Sequence, residues 1–175
     1  MRENYRDRAV VIRTYDFGEA DRVIVLLTRD HGLVRAVAKG VRRAKSRFGS
    51  RLQLFVNLDV QLYVGKNLAT ISQADTVDYF GARLIEDYER YTAACAVLES
   101  AERLAFADAD HDPYLYESVT ATLEQLQTAD PTMTLDAFLL QAMAHAGWAP
   151  SLFNCAQCNR CLLYTSDAAD DSLRV

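Results

Sequence analysis

The chain lacks any apolar run that approaches the length of a membrane span, and it is poor in cysteine, histidine and proline. Its 175 residues include four cysteines, three histidines and three prolines, whereas a membrane-spanning helix needs about 20 consecutive apolar residues. Residues 1–8 are polar and charged, and no apolar stretch of the signal-peptide kind follows them. We therefore expect a cytoplasmic protein without a membrane partner, in which disulfide bonds are rare.

Acidic residues outnumber basic ones, but the two kinds are unevenly distributed. The net charge is −5, yet residues 1–51 hold 13 Lys and Arg against 6 Asp and Glu, and residues 52–175 hold 6 against 18. A local positive field attracts phosphates even when a chain is acidic elsewhere. A polyanionic partner is therefore expected at the N-terminal part of the chain.

Between residues 9 and 74 apolar and polar residues alternate with the period of β-strands. The alternation is clearest over residues 54–64 and predicts a half-buried strand there. Four further strands are predicted over residues 9–14, 22–28, 33–39 and 68–74. Five short antiparallel strands indicate a small barrel, and the OB-fold is the five-stranded class that commonly binds oligonucleotides. An SH3-like barrel fits the periodicity nearly as well.

From residue 83 the period lengthens to that of helices. A stripe at spacings of three and four predicts one amphipathic helix, formed by Ile85, Tyr88, Tyr91, Cys95, Leu98, Ala101 and Ala105. Asp112 and Asp130 each precede a proline, a pair typical of a helix N-terminus, and Gly147 is expected to end the last helix. Strands followed by helices predict an α+β fold with segregated halves.

A basic stretch between residues 35 and 51 is the strongest candidate for a binding site. It contains no acid, and its seven positive residues are Arg35, Lys39, Arg42, Arg43, Lys45, Arg47 and Arg51. Lys and Arg release counterions when they contact phosphates, which gives salt-sensitive and largely sequence-independent affinity. Phe48 lies within the stretch, where its ring could stack on an unpaired base. The alternative is a solvated loop, or one paired with the acidic helical half.

Cys155 and Cys158 have the C-x-x-C spacing of one half of a zinc site. A closed structural site needs four ligands, and no second C-x-x-C pair follows 15–20 residues later. Cys161 is close enough to be a third ligand, in a cramped geometry. The alternative is that these cysteines are free thiols.

Catalysis is not predicted. Cys95 lies on the apolar stripe of a helix, where a buried small side chain is expected. The histidines His31, His111 and His145 are far apart, and nothing places one beside a nucleophile. The acids Asp16, Glu19 and Asp21 could be imagined as metal ligands of a nuclease, but loops between strands are commonly acidic.

Three segments together resemble the RecO family of bacterial recombination-mediator DNA repair proteins. Residues 37–52 (VAKGVRRAKSRFGSRL) look like the signature region of that family. Residues 18–28 and 30–33 resemble its preceding strands and turn, and residues 148–158 resemble the approach to its zinc-binding insertion. The similarity extends from about residue 10 to residue 158.

The resemblance implies an N-terminal OB-fold, a helical domain and a non-enzymatic function. It implies a nucleoid-associated protein that binds single- and double-stranded DNA, anneals complementary strands, and helps RecA load together with RecR and single-stranded DNA-binding protein. Carried over to this chain, the seven basic residues listed above would contact DNA. Cys155 and Cys158 would be the first pair of zinc ligands. A protein-interaction adaptor that binds acidic peptide tails is the alternative function.

The chain departs from the family at its end. Family members with the zinc module continue with a second cysteine pair, whereas residues 162–171 (LLYTSDAADD) look like translated adapter DNA. We therefore predict a nucleic-acid-binding barrel over residues 1–80 and an incomplete helical domain over 81–150. A partial zinc-ribbon-like segment over 151–161 and a non-native tail over 162–175 complete the predicted organisation.

Overall fold

The N-terminal half forms a closed five-stranded β-barrel in a computed structural model that describes residues 4–107, 112–155 and 158. The strands are β1 (Asn4–Phe17), β2 (Asp21–Thr28), β3 (Leu33–Ala38), β4 (Val56–Tyr63) and β5 (Ala69–Tyr79). Around the barrel they follow the order β1, β2, β3, β5, β4, and β4 pairs again with β1. This is a five-stranded Greek-key barrel of the OB-fold kind, so the predicted fold class is confirmed.

The barrel closes through one parallel strand pair, which the sequence prediction of five antiparallel strands missed. Ala36 and Val37 of β3 lie opposite Ala69 and Thr70 of β5 in parallel register. Strand β1 is also longer than predicted. A bulge between Val11 and Arg13 bends the strand, so that it pairs with β4 in its first part and with β2 in its second part. These two features allow five strands of unequal length to form a closed barrel.

Strand β1 contributes to two separate apolar cores. Ala9 and Val11 point into the barrel, whereas Val10 and Ile12 point outward and pack with the helices. Successive side chains of a strand point to opposite faces, so burial on both sides means that both faces are covered. The second core is shared between the barrel and the helical half, and the two halves therefore pack as one body.

The helical half contains four helices within the described residues. They are α1 (Gly81–Leu84), α2 (Tyr88–Ala107), α3 (Tyr114–Gln125) and α4 (Pro131–His145). Asp130 caps α4 as predicted, since its carboxylate accepts a hydrogen bond from the Met133 amide at 2.8 Å. Gly147 follows the end of α4 with φ of 89°. No described helix combines the length and apolarity that crossing a bilayer requires.

The single helix predicted from residue 83 is wrong in its first part. Ile85 and Tyr88 are 58% and 80% exposed instead of buried. The chain breaks between α1 and α2 because the Asp87 carboxylate accepts hydrogen bonds from the amides of Glu89 and Arg90 and so begins a new helix. The apolar face of α2 consists of Ala93, Ala94, Val97, Leu98 and Ala101.

A buried hydrogen bond joins α3 to the barrel. The Tyr116 hydroxyl donates to Asn57 Oδ1 at 2.9 Å, and Asn57, on β4, is 5% exposed. Burial raises the pKa of Tyr116 above its usual value of 10.0. Asn57 lies on the polar side of β4, and α3 covers it there. The burial is tolerated because the Tyr116 hydroxyl of α3 provides a hydrogen-bond partner for the Asn57 side chain.

Candidate nucleic-acid interface

The basic stretch lies where the alternating pattern predicted it, on β3 and in the connection from β3 to β4. Arg35 belongs to β3, and the other six basic residues lie between the end of β3 at Ala38 and the start of β4 at Val56. We call residues 39–55 the basic loop. Arg35 and all six basic residues of the loop are exposed, so the loop presents its charges to solvent.

Two apolar side chains fix the basic loop across the barrel. Phe48 and Leu52 are each 2% exposed and pack with the barrel interior. Gly40 and Gly49 take left-handed backbone angles, with φ of 68° and 54°, which suit glycine in tight turns. Polar residues of the loop therefore remain outside while its apolar residues enter the core.

The burial of Phe48 corrects its predicted role. A ring that is 2% exposed cannot stack on a base, because the barrel interior already covers it. Instead, the guanidinium carbon of Arg47 lies 4.7 Å from the centre of the Phe48 ring, within the range of a cation–π contact. Phe48 thus holds Arg47 in position, and Arg47 is the side chain that faces outward.

Acidic residues at the adjoining ends of β1 and β2 anchor the start of the loop. The Arg42 guanidinium lies 3.4 Å from the Asp16 carboxylate and 3.5 Å from the Gly18 carbonyl oxygen. The Gly40 amide donates to the Asp21 carboxylate at 2.7 Å. The stretch itself contains no acid, but the fold brings two from elsewhere. Arg42 is therefore partly neutralised, and two of the three acids that resembled possible metal ligands, Asp16 and Asp21, hold the loop.

Four cations of the loop form neither an ion pair nor a side-chain hydrogen bond in the part of the chain that the structure describes. They are Lys39, Arg43, Lys45 and Arg47. Arg51 differs from them, since its guanidinium donates to the Ala74 carbonyl oxygen of β5 at 3.3 Å. Unpaired surface cations keep their full attraction for phosphate because no carboxylate has to be displaced. They form the electrostatic centre of the site.

A groove of about 280 Å³ separates the end of the basic loop from strand β5. Its lining residues are Arg47, Phe48, Arg51, Ser72, Gln73, Ala74 and Asp75. Nothing in the local sequence of residues 72–75 marks them for this position. They join the site because β5 lies beside the loop, which follows from the strand order alone.

The predicted zinc ligands are partly outside the described residues. Cys155 is partly buried and Cys158 is exposed, and neither is in a disulfide. Across residues 4–107, 112–155 and 158, no three His, Cys, Asp or Glu side chains come together as a metal cluster. Cys161 lies outside these ranges, and so does the tail predicted from residue 162. Zinc binding stays a prediction.

Two of the three histidines pair with carboxylates at the surface. His31 Nδ1 lies 2.7 Å from the buried Asp7 carboxylate, and His145 Nε2 lies 2.7 Å from that of Asp112. His111 lies outside the described residues. Burial raises the pKa of the Cys95 thiol, which keeps it protonated and poorly nucleophilic. These groups form no nucleophile and base pair.

Family models match both halves of the chain. The model described as recombination protein O N terminal matches residues 1–80, which contain the barrel and the basic loop. The model described as recombination protein O C terminal matches residues 85–169, which include α2, α3 and α4. The N-terminal model thus matches the barrel and the C-terminal model matches the helices, which is the order of domains that the resemblance implies.

Proposed function

Since the chain belongs to the recombination protein O family and is a protein of recombinational DNA repair, we propose that it binds single- and double-stranded DNA without cutting it. We propose further that it anneals complementary strands and, with RecR and single-stranded DNA-binding protein, helps RecA load at the nucleoid. The observation that carries the DNA-binding proposal is the group of four unpaired cations on an anchored loop.

Contacts from this loop suit annealing because they are made to the phosphate backbone. Lys and Arg side chains that hold phosphates fix the position of a strand without reading its sequence. A strand held in this way keeps most base edges available to a complementary strand. Phe48 and Leu52 of the loop pack into the barrel, and exposed residues of α3 and α4 remain available for protein partners.

The decisive experiment removes two unpaired cations. At 0.1 M salt, Arg43→Gln combined with Lys45→Gln should weaken binding to a labelled 15-nucleotide single strand on the order of 20-fold. It should also reduce the slope of log K against log salt by about 1.4, which is about 0.7 for each lost phosphate contact. Fluorescence anisotropy over a salt series measures both quantities.

A matched control removes two positive charges from the helical half. Arg83→Gln combined with Arg103→Gln changes the net charge equally at exposed positions outside the loop, and it should leave the salt slope unchanged. Equal losses in both double variants would mean that overall charge, not the loop, binds DNA. Tighter binding of an acidic peptide than of DNA would favour the adaptor alternative.

We also propose that Cys155 and Cys158 provide two thiolate ligands of a structural zinc ion. Their C-x-x-C spacing suits two thiolates that approach one tetrahedral metal ion. Metal analysis of the purified full chain should find zinc that is lost in the variant Cys155→Ser/Cys158→Ser. Equal zinc content in the two proteins would contradict the assignment.

A further inference from the structure

We infer that the groove between the basic loop and β5 is a subsite for one unpaired base that carries an exocyclic amino group. The inference rests on the proposed binding of single strands and adds a base preference to it. The groove volume of about 280 Å³ is just below the usual range for ligand pockets. A space of this size suits one ring system and not a folded polymer.

The rim of the groove is built to hold a base and the phosphates beside it. The guanidinium carbon of Arg47 lies 4.7 Å from the centre of the Phe48 ring, and Arg47 is exposed, so its guanidinium is available for stacking. Arg guanidinium planes stack on unpaired bases in many nucleic-acid complexes. Arg51 is fixed at the same rim by its bond to the Ala74 carbonyl oxygen and keeps other donors for a phosphate.

The β5 side of the groove is rich in hydrogen-bond acceptors. Asp75 carries a carboxylate, which accepts bonds only, and Arg6, the cation that interacts with it electrostatically, forms its hydrogen bond with Asp59 instead. Ser72 already donates its hydroxyl proton to the Gln61 carbonyl oxygen at 3.0 Å, so its oxygen is left as an acceptor. Gln73 adds an amide that both donates and accepts.

The Asp75 carboxylate lines the same groove as Arg47 and Arg51, and a carboxylate repels a phosphate and attracts a hydrogen-bond donor. Among pyrimidines, cytosine presents an amino group at N4, whereas thymine presents a carbonyl oxygen and a methyl group at the equivalent positions. Aspartate and glutamate are the side chains that accept from cytosine N4. The groove should therefore take cytosine, and by the same chemistry other amino-bearing bases, in preference to thymine.

The test compares two oligonucleotides of equal length and charge. The intact chain should bind dC8 at least about five-fold more tightly than dT8 in anisotropy measurements at 0.1 M salt. Asp75→Asn should bring the dC8 to dT8 affinity ratio close to one, because an amide also donates to the thymine carbonyl. The ratio is the diagnostic quantity, since losing one negative charge strengthens binding of both strands alike.

Asp78→Asn is the matched control. It makes the same charge change on the same strand, but Asp78 lines a different surface pocket, so the wild-type ratio should persist. Steeply salt-dependent binding of dC8 and dT8 with equal affinity would overturn the base subsite and leave the proposed function standing. An unchanged ratio in Asp75→Asn would overturn it too. Failure of both strands to bind would overturn the proposed function itself.

Discussion

Replacing Tyr116 by Phe should destabilise the whole protein, because this residue joins the helical half to the barrel. The change keeps the ring and removes one hydroxyl, so it creates no large cavity. It deletes a 2.9 Å hydrogen bond and leaves Asn57 Oδ1 unpaired at a site that is 5% exposed. An unpaired buried polar group costs about 1–3 kcal/mol. The expected loss in the free energy of unfolding is therefore about 2 kcal/mol.

Thermal unfolding followed by circular dichroism measures this loss. For a chain of this size, 1 kcal/mol corresponds to about 2–4 °C, so Tyr116→Phe should lower the melting temperature by about 4–8 °C. Tyr88→Phe is the control, since Tyr88 is 80% exposed and its hydroxyl lies at the surface. The control should stay within about 0.5 kcal/mol of the wild type.

A double-mutant cycle with Asn57→Ala separates the hydrogen bond from other effects. Tyr116→Phe and Asn57→Ala each leave one partner unpaired, whereas the double variant removes both. The coupling energy should be at least about 0.5 kcal/mol. Additive losses, or a Tyr116→Phe variant as stable as the control, would refute the view that this bond holds the two halves together.

Three further predictions concern the helix cap, a surface ion pair and the anchor of the loop. Asp130→Ala should lower the free energy of unfolding by about 1 kcal/mol, because α4 loses its N-cap, as chemical denaturation would show. Arg6 holds the pKa of Asp59 below its usual value by a hydrogen bond at 2.6 Å. This pair stabilises the fold above the ordinary aspartate pKa and loses its effect as pH falls through the lowered one, so Arg6→Gln should raise the Asp59 pKa in an NMR titration. Asp16→Asn releases Arg42 and should tighten DNA binding several-fold at low salt, more than the equal charge change in Asp78→Asn does.

Local patterns were enough to predict the strands and the position of the basic loop. Alternation of apolar and polar residues depends on neighbours in the chain, and the loop followed as the gap between two such segments. The parallel pairing of β3 and β5 had no such signal, because it joins strands that are separated by β4. Barrel closure is a property of the whole sheet.

The errors in the site have the same origin. Phe48 stands among polar residues, so its surroundings in the sequence indicate exposure, yet its ring packs in the barrel core. Asp16 precedes the basic stretch by about 20 residues, and pairing with Arg42 requires that two turns meet at one end of the barrel. Such contacts depend on how the strands are arranged around the barrel.

The anchoring of the basic loop determines the heat-capacity change that calorimetry should find when DNA binds. Phe48 and Leu52 are buried before any strand arrives, and Gly40 and Arg51 are tied to neighbouring strands. Ordering a free backbone costs about 1–2 kcal/mol per residue. The loop is already ordered in the folded protein, so DNA binding does not include this cost. Binding should therefore proceed with a small heat-capacity change, in contrast to the large negative value of a segment that folds on its ligand.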